Sequence, residues 1–242
     1  MIAVASGKGG VGKTTVAVAL ARQLARTGRK IGLVDADLYG PDVPFMLGLR
    51  RDVPAASVTL ARWVRGSQNP GLEAMERDGL KVASAGFLMS GGQGLAVGST
   101  FGDMLLSRLV NDTRWGDVEA LVVDLPPGTG EVQQSLLGMA HRVAAVLVVT
   151  PAEVSHLDSG RALDVLRAAR VSVLGGVENM AYLECAGCGE PTELHAPAPE
   201  ERTIWADGVP RLARLPFRPG GGVEPTDLAP LVSAVLAHLD GG

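Results

Sequence analysis

Residues Gly7-Lys8-Gly9-Gly10-Val11-Gly12-Lys13-Thr14 satisfy the pattern G-x-x-x-x-G-K-[ST], and this constrains the fold before any other feature does. The pattern works only where a strand delivers the chain into a tight turn and a helix leads away, so that backbone N–H groups converge on one anion. Both flanks are present: Ile2–Ala5 is a short apolar run and Lys13–Thr27 has helical periodicity. In such a loop the glycines turn amide groups inward toward phosphate oxygens, Lys13 reaches the outer phosphates, and the Thr14 hydroxyl ligates Mg²⁺. A glycine-rich turn that binds nothing would not need both flanks.

Lys8 is not required by the general pattern. A second lysine beside Lys13 repels it unless a strongly anionic ligand lies between them; the plainer alternative is a solvated surface lysine.

The rest of the chain repeats the strand-then-helix rhythm. Apolar runs at Ile31–Val34, Leu80–Ala83, Ala120–Val123, Ala144–Val149, Val173–Val177 and Arg211–Leu215 suit strands buried on both faces. Helical patterns are expected at Phe101–Asn111, Glu131–Met139, Ser155–Arg170 and Pro225–Leu239, the last with an apolar stripe from Leu228 to Leu239. The alternation predicts an α/β fold, a mostly parallel sheet with helices on both faces joined by right-handed crossovers. A single domain spanning 1–242 is expected. Arg50–Gly79 and Glu184–Gly208 fit the rhythm poorly and read as a surface excursion and a cysteine-bearing loop at about 180–208.

Three carboxylates fall at strand ends. Asp35 and Asp37 close the second apolar run and Asp124 closes Leu121–Val123, where parallel strands deliver residues to one edge. One reading gives Asp124 to Mg²⁺, directly or through water, and Asp37 to the attacking water, with Asp35 in support. The other is helix capping or turn formation, a frequent use of aspartate there. The segment Asp124–Gly130 is rich in proline and glycine and suits a switch that responds to a γ-phosphate. Asn179, after Val173–Val177, offers a donor and an acceptor that suit an adenine edge or a turn equally.

Composition removes several function classes. The net charge of -4 leaves no basic footprint for nucleic acid. No apolar run is long enough for a signal peptide or a bilayer span, so a cytoplasmic protein without a membrane partner is expected. Glycine contributes 32 of 242 residues, nearly double the usual ~7%, as tight phosphate-binding turns require. Cys185 and Cys188 are too close in sequence to staple a chain of this size. They supply two thiolates where a tetrahedral centre needs four, so a [4Fe–4S] cluster or a zinc ion held by two copies, a redox dithiol, and a zinc knuckle completed by His195 all remain open.

Taken together these motifs resemble a known family. Ser6–Thr15, with Lys8 inside it, is similar to the deviant Walker A loop of the MinD/ParA class of dimeric ATPases, in which the extra lysine reaches the partner subunit's nucleotide. Leu33–Pro41, Gly86-Phe87-Leu88, Asp124–Gly130 and Gly175–Met180 followed by Cys185 and Cys188 resemble the Mrp/NBP35 (ApbC) iron–sulfur cluster carrier ATPases, in order along nearly the whole chain. The resemblance implies a homodimer that binds and hydrolyses ATP, bridges a [4Fe–4S] cluster on its paired cysteines and passes it to apo iron–sulfur proteins. It makes Lys8, Lys13 and Asp37 catalytic candidates and Asn179 an adenine-binding one. The chain departs from the family pattern at Leu95–Ser99, where Trp-Arg-Gly-Pro is common, and at Gly221–Pro225, where Asp-x-Gly-x-Pro is usual. Because the sequence opens directly on the first strand, the small preceding domain of many bacterial members is expected to be absent.

Overall fold

A computed structural model describes residues 1–38, 40–49, 72–87, 99–128, 142–185, 187–218 and 222–241. The chain opens with β1 (Ile2–Ala5), α1 (Lys13–Arg26), β2 (Ile31–Asp35) and the single turn α2 (Val43–Met46). Short strands β3 (Leu72–Glu73) and β4 (Met75–Arg77) precede β5 (Leu80–Ser84), and α3 (Ser99–Asn111) leads through β6 (Thr113–Arg114) to β7 (Ala120–Asp124). The second half runs β8 (Ala144–Val149), α4 (Glu153–Ala168), β9 (Ser172–Glu184), β10 (Pro191–Glu193), β11 (Arg211–Pro216) and α5 (Ala229–Asp240).

The main sheet has the order β10-β9-β8-β1-β7-β2-β5-β4, with β11 also paired to β9. Its centre is parallel, and only β4 against β5 and β10 against β9 run antiparallel. The continuous apolar runs are explained by a core on each face. Ile2 and Val4 point to a cluster with Leu20 and Leu24 of α1 and Leu231 of α5, while Ala3 and Ala5 point to one with Leu105 of α3 and Leu163 of α4. Each fully buried leucine or valine contributes about 1.5–3 kcal/mol relative to exposure. Helices therefore have to cover both sides, which fixes the α/β architecture.

The expected strand Val173–Val177 is instead the 13-residue β9, running to Glu184. Glu178 reads as a strand end because it is charged, but its carboxylate, 7% exposed, meets Arg214 Nε at 2.8 Å and an Arg211 nitrogen at 3.5 Å. Paired in this way it stays in the strand, and Asn179 lies inside β9 rather than after it. The expected helix Pro225–Leu239 starts with a 3₁₀ turn, Pro225–Leu228, before α5. The expected helix Glu131–Met139 and most of Arg50–Gly79 lie outside the described residues, as do Leu95–Gly98, Thr129, Gly130 and Gly221. Among the described residues no helix is long and apolar enough to cross a membrane.

Candidate functional site

The strand β1, buried along its length, delivers Ser6 to the glycine loop, and Gly12 turns the chain into α1 at φ 82. That helix has no side-chain cap and no acidic residue in its first turn. Its leading N–H groups and partial positive charge thus face the loop without a carboxylate from the helix's own first turn, an arrangement suited to an anion. Gly12 is required twice over: by its left-handed φ, and because a Cβ there would fall 2.1 Å from Asn179 Nδ2. Gly7 is required for a different reason. A Cβ at Gly7 would lie 2.1 Å from the Asp158 carbonyl carbon, and its N–H donates to Ser159 Oγ at 3.3 Å. The first glycine of the motif is therefore the place where α4 packs onto the loop.

Lys8, Gly9, Gly10, Gly12, Lys13, Thr14, Thr15 and Asp37 line one cleft of about 470 Å³. The same cleft is lined by Pro127 and Met180, from the proposed switch and the Gly175–Met180 motif, and by Phe45 and Met46, which the sequence did not single out. Phe45 is 78% exposed; an aromatic residue within the apolar tetrapeptide Val43–Met46 was the available sequence signal. Val11 is buried beneath the loop, and its carbonyl accepts a hydrogen bond from Asn179 Nδ2 at 2.8 Å.

Below the cleft, Asp35 and Asp124 are register partners across β2 and β7, and both are fully buried. Lys13 Nζ lies 2.5 Å from Asp124 Oδ1. Burial nonetheless raises the Asp124 carboxyl above its ordinary range, with Lys13 acting in the opposite direction. Among the described residues Asp124 Oδ2 is buried without a hydrogen-bond partner. An orphaned carboxylate oxygen next to a loop hydroxyl, Thr14, is the donor chemistry that Mg²⁺ requires. These residues fit the ion.

Asp35 plays a different part. Its Oδ2 accepts from Ser84 Oγ at 2.9 Å and the Val43 amide at 3.3 Å, and its Oδ1 accepts from the Asp37 amide at 3.3 Å. Burial, then the field of Asp124, pushes its carboxyl well above the usual range. Asp35 thereby ties β2, β5 and the start of α2 together and aims the backbone of Asp37 at the cleft. Asp37 Oδ1 accepts from the Gly40 amide at 3.2 Å, so the same aspartate forms a turn and lines the cleft.

Cys185 and Cys188 are free and exposed in the turn between β9 and β10. The turn is closed by the Cys185 amide to the Glu190 carbonyl at 2.9 Å and by the Gly189 amide to the Cys185 carbonyl at 2.8 Å. Backbone N–H groups of Cys188 and Gly187 donate to the Cys185 sulfur and, with the Cys188 side chain, lower its thiol pKa. Amides aimed at a sulfur favour thiolate, the form that binds metal. Among the described residues no set of three or more His, Cys, Asp or Glu side chains forms a metal cage, so His195 does not complete one with the cysteine pair.

One backbone detail joins the two halves of the site. Met180 has φ 54 in the middle of β9, a conformation that costs a non-glycine residue about 1–3 kcal/mol. Pairing between β9 and β11 shifts register here, from Glu178↔Arg214 to Tyr182↔Pro216, as a bulge does.

A sequence model described as the ParA group's NUBPL iron-transfer P-loop NTPase matches residues 1–233. The iron-sulfur cluster carrier protein of Deinococcus radiodurans is 41% identical over 189 residues, covering 78% of this chain and 51% of that protein. The protein of the same name from Aquifex aeolicus is 37% identical over 243 residues, covering 99% of this chain and 63% of its own length. The chain thus spans about half to two thirds of the length of these relatives. Among solved structures, a nucleotide-binding protein from Archaeoglobus fulgidus in complex with ADP superposes with TM-score 0.71 at 32% identity, covering 96% of this chain and 86% of that one. The cell division ATPase MinD of Pyrococcus furiosus superposes with TM-score 0.62 at 21% identity, covering 97% of each chain, a likeness of fold.

Proposed function

The chain belongs to the NUBPL iron-transfer P-loop NTPase family, and from that premise we propose that it is an ATP-binding and ATP-hydrolysing carrier of a [4Fe–4S] cluster, held across a homodimer and passed to apo-proteins in the cytoplasm. The observation that carries this reading is the exposed hairpin turn presenting Cys185 and Cys188, one of them favoured as thiolate, on the strand that also packs against the phosphate loop. Two thiolates are half of a four-thiolate set, and two copies related by a two-fold axis supply the rest. The cluster is cargo rather than a resident cofactor.

The triphosphate lies along the glycine loop, where the amides of residues 7 to 15 and the Lys13 ammonium take up its charge. Lys8 of each copy reaches the nucleotide of the other, as an arginine finger would, so the site is completed only in the dimer. Asp37 accepts a hydrogen bond from the attacking water and aligns it with the γ-phosphorus. The water oxygen bonds to phosphorus as the bond to the β–γ bridging oxygen breaks, the water's proton passes to the phosphate, and ADP and inorganic phosphate leave. Thr14 and Asp124 would hold Mg²⁺, which supplies charge neutralisation to the phosphate oxygens when bound. Asn179 fixes the Val11 carbonyl and with it the floor of the loop, and the resemblance adds an adenine contact for its amide. Phe45, largely exposed, and Pro127 line the cleft and offer apolar contact to a bound nucleotide.

The deciding experiment is metal analysis of protein purified and reconstituted without oxygen. About four iron and four sulfide per dimer are expected, with the visible absorbance of a [4Fe–4S] cluster, and loss of both on replacing Cys185 or Cys188 by Ala. Stoichiometric zinc without sulfide would assign the cysteines a structural metal instead. Unchanged iron in either alanine variant would remove the cluster from these residues.

A further inference from the structure

We propose that the Asn179–Met180 bulge of β9 is the positioning element through which the phosphate loop and the cysteine hairpin sense each other. The inference rests on the carrier reading for its purpose, but its geometry stands apart from any cluster.

Among the described residues, non-glycine positive φ occurs at Asp78, Arg170 and Met180. Asp78 turns the chain between β4 and β5, and Arg170 follows the C-terminus of α4; left-handed residues are ordinary at both places. Met180 is inside a strand. A strand tolerates that conformation only where its surroundings over-determine it, and the surroundings here belong to the phosphate loop. Asn179 Nδ2 donates to the Val11 carbonyl at 2.8 Å. The place where a Gly12 Cβ would stand is 2.1 Å from that nitrogen and 3.5 Å from Met180 Cε. Met180 itself lines the phosphate cleft. A ligand that draws the loop inward therefore moves the partners that hold the bulge.

On the other side the same strand continues to the cysteines without a joint. Tyr182 O accepts from the Phe217 amide at 2.6 Å. Arg214 lies over the Tyr182 ring at 5.4 Å and grips both carboxylate oxygens of Glu193, on β10, at 2.7 Å. Tyr182, Leu183 and Glu184 pair with β10, and Cys185 comes directly after them. Beyond the bulge these contacts tie Tyr182–Glu184 to β10, while Arg214 also reaches back to Glu178 before it at 2.8 Å. A change of φ at Met180 therefore alters how the two sides meet across this arginine and re-aims the turn that carries both thiols. A bulge re-aims the strand beyond it, and a shift of pairing at this irregularity would be the two-state element that coupling between sites needs.

The test is hydrogen–deuterium exchange of the full chain with and without saturating ATP and Mg²⁺, reading residues 7–15 and residues 182–193 separately. In the wild type both segments are expected to respond, the hairpin by roughly fivefold or more in exchange rate, the low end of an ordinary coupling. Met180→Gly removes both the strain and the side chain over Gly12; with ATP raised until residues 7–15 are saturated in that variant, whatever its affinity, the hairpin response is lost. Asn179→Asp, which replaces the donor to Val11 by an acceptor, is read at its own saturating ATP concentration; it too loses the hairpin response and serves if the glycine variant melts. Met180→Leu keeps the bulk and the strained φ and restores the response. A hairpin response that survives in both Met180→Gly and Asn179→Asp overturns the proposal, as does a wild-type hairpin that stays silent while the loop responds. Iron content does not enter this readout: a chain that binds no cluster yet shows coupling leaves the proposal standing, and a loaded dimer with a silent hairpin overturns it alone.

Discussion

Lys13 Nζ and Asp124 Oδ1 lie 2.5 Å apart with side chains 6% and 0% exposed, so the lysine of the phosphate loop and the acid at the end of β7 form a buried ion pair. A pair of this kind adds little net stability, because both charges have been taken out of water, but removal of one partner leaves the other charge stranded. The loop lysine is thereby fixed at the cleft by the same aspartate whose second oxygen has no hydrogen-bond partner among the described residues.

Lys13→Ala is expected to destabilise the fold by about 3–5 kcal/mol, the usual consequence of orphaning a buried charge. Adding Asp124→Asn should return much of that loss, since the neutral amide no longer needs a cation. Urea unfolding of the single and double variants measures both. A single variant within about 1 kcal/mol of wild type would mean that water reaches Asp124 freely.

Gly7→Ala is expected to cost about 1–3 kcal/mol, because its Cβ would have to displace the α4 backbone at Asp158. Gly9 makes the control: a Cβ there meets nothing nearer than Pro127 at 4.0 Å, so Gly9→Ala should leave the melting temperature nearly unchanged. Equal melting temperatures for the two variants would contradict the contact between loop and helix.

Cys185 is expected to react first with iodoacetamide in metal-free protein at neutral pH, several-fold ahead of Cys188, since two backbone amides favour its thiolate. Peptide mass spectrometry after brief labelling reads the order. Gly187→Pro removes one of those amide donors and should narrow the gap. Labelling that begins at Cys188 would show that the amides do not set the reactivity.

The parallel sheet was legible because continuous apolar runs have only one economical explanation, burial on both faces, and β1 and β8 match their runs residue for residue. The loop lysines and Thr14 were legible because the motif fixes their spacing along the chain. Less visible was what depends on pairing between distant segments. Glu178 hides the true length of β9 because its neutralising partners, Arg211 and Arg214, are more than thirty residues away. Strands as short as β3 and β6 have too few residues for a period to show. Asn179 carried no local sign that its amide would hold Val11, and the bulge at Met180 has no glycine to announce it.

His156 supplies a dependence on pH with a definite sign. It is 2% exposed on α4, its Nδ1 accepts from the Ile204 amide at 3.4 Å, and the Trp205 ring stands edge-on at 5.5 Å. Burial lowers its pKa below the ordinary 6.5; Glu178 raises it and Arg211 lowers it further. The folded protein thus binds this proton less readily than the unfolded chain. The histidine's contribution to stability is complete above the unfolded value and is lost as pH falls below it, through the folded value, because the unfolded chain takes up the proton first. Protonation of Nδ1 would also replace an acceptor by a donor facing the Ile204 N–H. Wild-type protein is therefore expected to lose more stability than His156→Gln between about pH 7.5 and about pH 5.5 in urea unfolding, since glutamine offers an acceptor that does not titrate in that window. Parallel losses in the two proteins would place the acid sensitivity elsewhere; a shallower loss in the variant assigns it to the contact between α4 and the segment around Trp205.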